Sequence, residues 1–312
     1  MRPLPHESLR VPERDGKSGN RLVNGRIVEK FRSLSIEGKR AFIPYITAGD
    51  PTLSATTDLV LSLERAGADL VELGVPFSDP LADGEVNQAA AYRALRAGAS
   101  VEGVLKAVLE VRKVSRIPIV LFSYLNPLLR LGLERFAGEA SRAGVDGVLL
   151  VDLPLEERLC GLEALEAALT RIHLVAPTTD LPRRRAIAKA AEGFLYCVAR
   201  LGTTGARDDV PAEAEDLVRS MRTLCTVPAC VGFGISTPEQ ASAVAGYADG
   251  VVIGSALVER IGAWGAEWNL CERIEGFVRP LAESVHRASG KRIPGQLREP
   301  GSERRLDGNS CA

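Results

Sequence analysis

Residues Leu70–Ala90 read LVELGVPFSDPLADGEVNQAA, and three kinds of segment follow one another in this stretch. The first part is an apolar run broken only by Glu72, which is typical of a strand that is covered on both faces. Prolines, aspartates and a glycine then indicate a loop, and the alanine-rich end predicts a helix. The stretch is therefore a strand–loop–helix unit with one carboxylate in its strand and a second, Asp83, in its loop.

The alternation of strand and helix recurs along most of the chain. Apolar runs predict eight strands, at Ala41–Thr47, Leu70–Val75, Ile117–Tyr124, Gly147–Asp152, His173–Thr178, Phe194–Ala199, Pro228–Phe233 and Gly250–Ser255. Helices are predicted at Leu53–Ala66, Val101–Val114, Glu134–Ala143, Glu156–Leu169, Leu181–Ala191, Ala212–Leu224, Pro238–Ala245 and Cys271–Ala288. We also expect a helix before the first strand, an extra helix at about 88–97 inside the second unit, and a short helix after Ser255. Eight strand–helix units over roughly 250 residues predict a closed parallel (β/α)8 barrel, the TIM barrel of the α/β class.

The two ends of the chain differ from this pattern. Residues 1–24 and 289–312 are polar, contain scattered Pro and Gly, and lack hydrophobic periodicity. We expect a disordered N-terminal arm, a single catalytic barrel domain over residues 25–288, and a disordered C-terminal tail.

Composition excludes several classes of protein. The 39 basic and 40 acidic residues give a net charge of −1, whereas proteins that bind nucleic acids or membrane surfaces usually carry a basic excess. No apolar run approaches the ~20 residues of a membrane helix, and the N-terminus lacks the apolar core of a signal peptide. The 6 cysteines form no C-x-x-C pair, so we expect reduced thiols rather than zinc ligands or disulfides. A cytoplasmic protein is the prediction.

Two carboxylates lie where a (β/α)8 barrel places its chemistry, at the carboxyl ends of the strands and in the loops that follow. Burial of Glu72 among apolar neighbours would raise its pKa towards the range of acid–base catalysis. The alternative explanations for Glu72 are a buried ion pair with an Arg or Lys from another strand, or a carboxylate that caps a loop. Asp83 precedes the extra helix, where it would serve as an N-cap or, with Glu72, as the second carboxylate of an acid–base pair.

Glycine-containing turns follow the last three strands. Arg200–Gly205 follows strand six, Gly232–Ser236 follows strand seven, and Ile253–Ala256 ends strand eight. A single glycine is also typical of a tight turn. Together at these strands, and with a helix N-terminus after the last of them, the glycines predict a phosphate site.

Other catalytic arrangements do not emerge from the pattern. His6 and His286 are expected to be solvated, and His173 is expected to be structural. Neither a Ser–His–Asp arrangement, a metal-ligand spacing nor a dinucleotide-binding glycine motif is readable in the sequence. We expect no metal in this chain.

Several stretches between residues 28 and 288 resemble the tryptophan synthase alpha chain family. They are FIPYITAGDP (Phe42–Pro51), LVELGVPFSDPLADG (Leu70–Gly84), YLNP (Tyr124–Pro127), LLVDLP (Leu149–Pro154), LGTTGAR (Leu201–Arg207), VGFGIS (Val231–Ser236) and VIGSALV (Val252–Val258). The resemblance implies a TIM-barrel lyase that splits indole-3-glycerol phosphate into indole and glyceraldehyde 3-phosphate, in the last step of L-tryptophan biosynthesis. It implies no cofactor in this chain. It also implies an alpha-beta-beta-alpha complex with a beta chain that carries pyridoxal phosphate, which loop two (Pro76–Asp79) and Asn126-Pro127 would face.

The resemblance also implies roles for individual residues. Glu72 resembles the family's catalytic glutamate, which protonates indole C3 and takes the proton of the side-chain hydroxyl. Asp83 resembles the aspartate that holds the indole N–H, and Asp152 is expected to pair with loop two. The residues implied to bind substrate are Tyr45, Tyr124, Thr204 and Phe233, and those implied to bind the phosphate are Gly205, Gly234, Gly254 and Ser255.

The sequence departs from the family's pattern just after Asp83. Glu85 stands where the family has a proline, and an acidic residue suits the start of a helix. Asn87 stands where the family has an apolar residue that is expected to face the indole. A buried amide there needs a hydrogen-bond partner or costs roughly 1–3 kcal/mol.

Three other functions stay open from the residues. The same carboxylates would serve a stand-alone indole-3-glycerol-phosphate lyase. A barrel that only binds and activates a beta partner is a second alternative, which the presence of both carboxylates disfavours. Another phosphosugar isomerase or aldolase is the third, although a Schiff-base aldolase needs a lysine at a strand end. The lysines considered fall in helices or a tail: Lys106, Lys113, Lys189 and Lys291.

Overall fold

The computed structural model describes residues 25–198, 212–232 and 234–288, so the predicted arm and tail lie outside the described residues. Within these ranges, eight parallel strands form a closed barrel in which each strand pairs with the next and the last pairs with the first. The strands are β1 Ala41–Thr47, β2 Val71–Gly74, β3 Ile119–Ser123, β4 Gly147–Leu150, β5 Thr170–Val175, β6 Leu195–Val198, β7 Ala229–Gly232 and β8 Gly250–Ile253. The predicted (β/α)8 barrel is confirmed.

Helices surround the barrel and connect its strands. They are α1 Arg26–Glu37, α2 Leu53–Arg65, α3 Glu85–Arg96, α4 Val101–Arg112, α5 Leu125–Leu131, α6 Leu133–Ala143, α7 Leu162–Ala168, α8 Leu181–Ala190, α9 Ala212–Arg222, α10 Pro238–Ala245, α11 Ser255–Trp264 and α12 Leu270–Arg287. The expected helix before the first strand is α1, the extra helix of the second unit is α3, and the short helix after β8 is α11. None of the described helices is long and apolar enough to cross a membrane.

Polar side chains fix the starts of several helices. The Thr52 hydroxyl accepts a hydrogen bond from the Ala55 N–H at 3.1 Å, at the start of α2. At α10, Thr237 and Gln240 satisfy each other's backbone N–H groups in a capping box. These caps supply partners for the N–H groups that the first turn of a helix leaves unpaired, so the helix boundaries follow from local sequence.

One helix prediction was wrong in detail. The helix predicted at Glu156–Leu169 is α7, which begins only at Leu162, because Gly161 has the left-handed φ of 82° that a helix interior does not accept. The helix predicted at Glu134–Ala143 is α6, and Gly132, with φ of 90°, separates it from the short helix α5, which was not predicted. The fifth strand was also misplaced: β5 starts at Thr170, so His173 lies inside the strand rather than at its start.

Helix α1 closes the amino-terminal end of the barrel, which we call the base. Its buried residues Ile27, Phe31 and Leu34 join the cluster of side chains that fills the barrel interior. The Phe31 ring lies 5.7 Å from the ring of Phe194, which directly precedes β6. The interior is therefore a packed core from the base upwards.

Three aspartates at the base each make the same two hydrogen bonds with a residue of the neighbouring strand. Asp69, Asp146 and Asp249 each lie just before an even-numbered strand. The Asp249 N–H donates to the Ala229 carbonyl at 2.8 Å, and the Ala229 N–H donates back to Asp249 Oδ2 at 2.9 Å. The other two aspartates repeat this exchange with Phe42 and Ile119. Each carboxylate thus joins two neighbouring strands where they begin.

Cationic side chains neutralise the base aspartates. Asp146 binds Arg26 and Arg112, at 2.7 and 2.8 Å. Asp249 binds Arg222 at 2.8 Å.

Asp69 lies 2.8 Å from His286 Nε2, on the last turn of α12. His286 was expected to be solvated. Instead its side chain is only 24% exposed and ties the end of the last described helix to the base, because α12 runs back along the barrel to this point.

The described cysteines, Cys160, Cys197, Cys225, Cys230 and Cys271, are free thiols. Cys311 lies outside the described residues.

Candidate active site

Glu72 lies inside β2, in register with Tyr45 of β1 and Val120 of β3. It is fully buried, and within the described part of the chain both carboxylate oxygens lack a hydrogen-bond partner. The alternatives of a buried ion pair and of a loop cap are therefore wrong for the described structure. Burial alone raises the pKa of Glu72 to about 8, so the carboxyl group is mostly protonated at neutral pH.

Asp83 lies in the β2–α3 loop and does not cap the helix that follows. The N-cap of α3 is Gly84, which offers no side chain, so the alternative role of Asp83 as an N-cap is wrong. The Tyr124 hydroxyl accepts the Ala82 N–H at 2.8 Å and donates to the Asp83 carboxylate. Burial raises the pKa of Asp83 to about 6, although the bond from Tyr124 opposes that rise. Asp83 is thus mostly ionised at neutral pH, opposite to Glu72.

Tyr45 occupies the space that Gly74 leaves open. A Cβ atom at Gly74 would lie 2.3 Å from the Tyr45 hydroxyl oxygen, so only glycine fits at this strand end. The Tyr45 ring meets the Phe122 ring edge-on, with centroids 5.3 Å apart. Burial, then the negative charges of Asp83 and Glu72, raise the pKa of Tyr45, so the two carboxylates and this ring share one environment.

Tyr196 is a site neighbour that sequence reasoning missed. It lies in β6 and faces the interior, where a Cβ at Gly232 would come within 2.1 Å of its hydroxyl oxygen. Burial, followed by the charge of Glu72, raises its pKa. One feature of the sequence could have indicated this position: an aromatic residue in one strand and a glycine in the strand that pairs with it. Tyr45 and Gly74 show the same arrangement in β1 and β2.

Asp152 binds a helix start rather than loop two in the described structure. Its Oδ1 atom accepts the Leu125 N–H at 2.8 Å, and Leu125 is the first residue of α5. Because Tyr124 is the N-cap of α5, this bond fixes the backbone beside the tyrosine that holds Asp83.

Three of the predicted phosphate residues, Gly234, Gly254 and Ser255, lie at the carboxyl ends of β7 and β8. Gly234 has φ of 80°, and the space that a side chain would take there is open. Gly254 is the N-cap of α11 and Ser255 its first residue, so N–H groups of a helix start are presented here. A Cβ at Gly254 would lie 3.3 Å from the Tyr45 ring, which places this end next to the aromatic pocket. Three predicted site residues lie outside the described residues: Thr204, Gly205 and Phe233.

Asn87 lies in the first turn of α3, and its Oδ1 atom is buried without a hydrogen-bond partner among the described residues. The described residues contain no group of three or more His, Cys, Asp or Glu side chains that would hold a metal ion. The site is therefore built from carboxylates, aromatic rings and glycine-rich turns.

Comparison with known proteins gives a consistent family. The profile of the family "Tryptophan synthase alpha chain" matches residues 31–286. Relatives with that name from Geobacter sulfurreducens and Geobacter sp. strain M21 are 48% and 46% identical, over 83% and 85% of this chain and 98% and 99% of theirs. A crystal structure of tryptophan synthase subunit alpha from Legionella pneumophila superposes with a TM-score of 0.76 at 36% identity, covering 84% of this chain and 98% of that one. The chain belongs to the tryptophan synthase alpha chain family.

Proposed function

We propose that Glu72 and Asp83 perform the reaction of this family in the present chain. Tryptophan synthase alpha chains are lyases of tryptophan biosynthesis that cleave indole-3-glycerol phosphate. The products are indole and glyceraldehyde 3-phosphate. The observation that carries the assignment is the Glu72 carboxyl group, which is fully buried towards the carboxyl-terminal end of the barrel, the mouth, and has no partner for either oxygen among the described residues. A buried carboxyl group without a hydrogen-bond partner lowers the stability of the fold, and a bound substrate would supply that partner.

Glu72 acts first as an acid and then as a base. Its raised pKa keeps a proton on the carboxyl group near neutral pH, and this proton passes to indole C3. The carboxylate that remains takes the proton from the hydroxyl group on the carbon attached to C3. The bond between that carbon and C3 then breaks, its electrons restore the aromatic ring, and the hydroxyl carbon becomes the aldehyde. Glu72 ends in its starting protonation state.

Asp83 stabilises the charge that this protonation creates. Protonated at C3, the indole ring carries positive charge at its nitrogen, and a fixed carboxylate beside that N–H lowers the barrier. The Tyr124 hydroxyl holds the Asp83 carboxylate in place. The lower pKa of Asp83, about 6 against about 8 for Glu72, keeps the two carboxyl groups in different protonation states.

The rest of the pocket binds the two ends of the substrate. Tyr45, Tyr124 and Phe233 would line the space for the indole ring, and Thr204 would help to close the site. Gly205, Gly234, Gly254 and Ser255 would bind the phosphate through backbone N–H groups and the start of α11. In this mechanism the chain needs neither a cofactor nor a metal.

A beta chain that carries pyridoxal phosphate is the proposed partner, in an alpha-beta-beta-alpha complex in the cytoplasm. Asp79 of loop two and Asn126 of α5 are exposed beside the mouth, where such a partner would contact them. Family membership supports this partner.

The test is indole release from indole-3-glycerol phosphate by the purified chain, with and without a beta subunit, beside the variants Glu72→Gln and Asp83→Asn. We expect slow release by the chain alone and faster release with the partner. Glu72→Gln should release almost none, and Asp83→Asn should lose about 10²–10³-fold in rate. Equal rates for wild type and Glu72→Gln would contradict the assignment. Partner stimulation without any indole would instead indicate a barrel that only activates its partner.

A further inference from the structure

The unpaired amide oxygen of Asn87 indicates a missing hydrogen-bond donor. Asn87 Oδ1 is buried, and no donor reaches it within the described part of the chain. A buried acceptor without a donor lowers stability, whereas a ligand that brings a donor removes that cost on binding. Glu72 is the other side chain at this mouth whose buried oxygens lack partners in the described structure, so the two groups point to one ligand.

Asn87 lies on the buried face of α3. The buried residues of α3 are Ala90, Ala91 and Ala94, which follow Asn87 by three, four and seven positions and therefore lie on the same helix face. Ala90 belongs to the interior cluster that contains Tyr45. Helix α3 packs against β1 and against α11.

These two neighbours of α3 hold opposite ends of the proposed substrate. On the β1 side, Tyr45 is in register with Glu72, which acts at the carbon next to the ring. On the α11 side, Ser255 begins the helix assigned to the phosphate. The glycerol chain connects these ends, so it passes the helix face that carries Asn87. Of its two hydroxyl groups, the one next to the ring gives its proton to Glu72, which leaves the middle hydroxyl as the free donor.

We propose that Asn87 Oδ1 accepts a hydrogen bond from the middle hydroxyl of the glycerol chain and thereby makes Asn87 a specificity-determining residue of this site. The inference rests on the proposed function. It gives this chain a preference for a hydroxylated linker between the aromatic ring and the phosphate.

Two ligands that cannot be cleaved isolate the contact. Indole-3-propyl phosphate has no linker hydroxyl, and its 2-hydroxy derivative carries only the middle one. Their dissociation constants would be measured by calorimetry for the wild type and for Asn87→Leu, whose side chain has the same branching and the same number of heavy atoms. Asn269→Leu, the same chemical change at the N-cap of α12, is the matched control.

The wild type and Asn269→Leu should bind the hydroxylated ligand about threefold to tenfold more tightly than the other, as one net hydrogen bond allows. In Asn87→Leu the ratio should fall to about 1, while the midpoint of urea unfolding without ligand should rise. An unchanged ratio in Asn87→Leu would overturn the role of Asn87 while leaving Glu72-dependent indole release intact. A wild type that binds neither ligand and releases no indole would instead overturn the proposed function, and the inference with it.

Discussion

The two ends of the barrel hold their carboxylates in opposite ways. At the base, Asp146 and Asp249 accept backbone N–H groups and bind arginines, so both charges are neutralised by permanent partners. At the mouth, Glu72 is more deeply buried and has no partner among the described residues. Burial alone therefore does not mark a functional carboxylate in this fold. The lack of a partner among the described residues is what marks Glu72, because the chain gives up stability there that a bound substrate can restore.

The largest expected effect is the loss of activity in Glu72→Gln. The amide keeps the shape of the side chain but can neither give nor take the proton, so the rate of indole release should fall by about 10²–10⁴-fold. Stopped assays of indole formation over hours would measure the residual rate. A loss of less than tenfold would mean that Glu72 does not transfer the proton, and that it differs from the base aspartates only in its surroundings.

The same change at the base should affect stability and not catalysis. Asp249→Asn leaves the largely buried Arg222 guanidinium without its counter-charge, which should cost about 3–5 kcal/mol of unfolding free energy. Urea unfolding would measure that cost, and the indole-release rate per folded molecule should stay at the wild-type value. A variant with full stability and low activity would contradict the division between mouth and base.

An effect of similar size should appear in the pH dependence of stability. Because the folded state raises the pKa of Glu72 from 4.5 to about 8, it binds the proton more tightly than the unfolded state does. The contribution of Glu72 to stability is therefore complete below pH 4.5 and is lost as pH rises towards 8 and beyond. The unfolding free energy of the wild type should fall by roughly 4 kcal/mol relative to Glu72→Gln between pH 5 and 9. Parallel profiles from urea titrations would show that Glu72 is not buried as described.

The smallest expected effect concerns Tyr124. In Tyr124→Phe the Asp83 carboxylate loses the hydrogen bond that opposes the rise of its pKa. The acid limb of the pH–rate profile, near pH 6 in the wild type, should then move to higher pH, with a severalfold lower rate at pH 6 and a smaller loss at pH 8. The free energy of unfolding should change little. An acid limb that stays at the same pH would show that Tyr124 does not influence the pKa of Asp83.

The sequence predicted the barrel because its strands are buried on both faces and so form apolar runs at regular intervals. Ala41–Thr47 is predicted and observed with the same bounds. Contacts that depend on distant parts of the chain were not predictable in this way. The bond between His286 and Asp69 joins residues 217 positions apart, and no local pattern indicates it.

In the candidate site, too, only residues with a local signal in the sequence could be predicted. Glu72 stood out because a charge inside an apolar strand is visible locally, whereas Tyr196 looked like any other aromatic core residue. Its place beside Glu72 depends on Gly232 of the neighbouring strand, since only that pairing leaves room for the hydroxyl group. The left-handed turn at Gly161 was likewise invisible, because a glycine in sequence does not reveal its φ angle.

The packed interior of the barrel also sets the route of small molecules. From Phe31 at the base to Tyr45 and Tyr196 near the mouth, side chains fill the described interior, and α1 covers its lower end. A ligand bound near Tyr45 and Tyr196 would therefore enter and leave through the opening at the carboxyl ends of the strands. A protein seated over that opening would control whether indole escapes to the solvent or moves directly to the next enzyme.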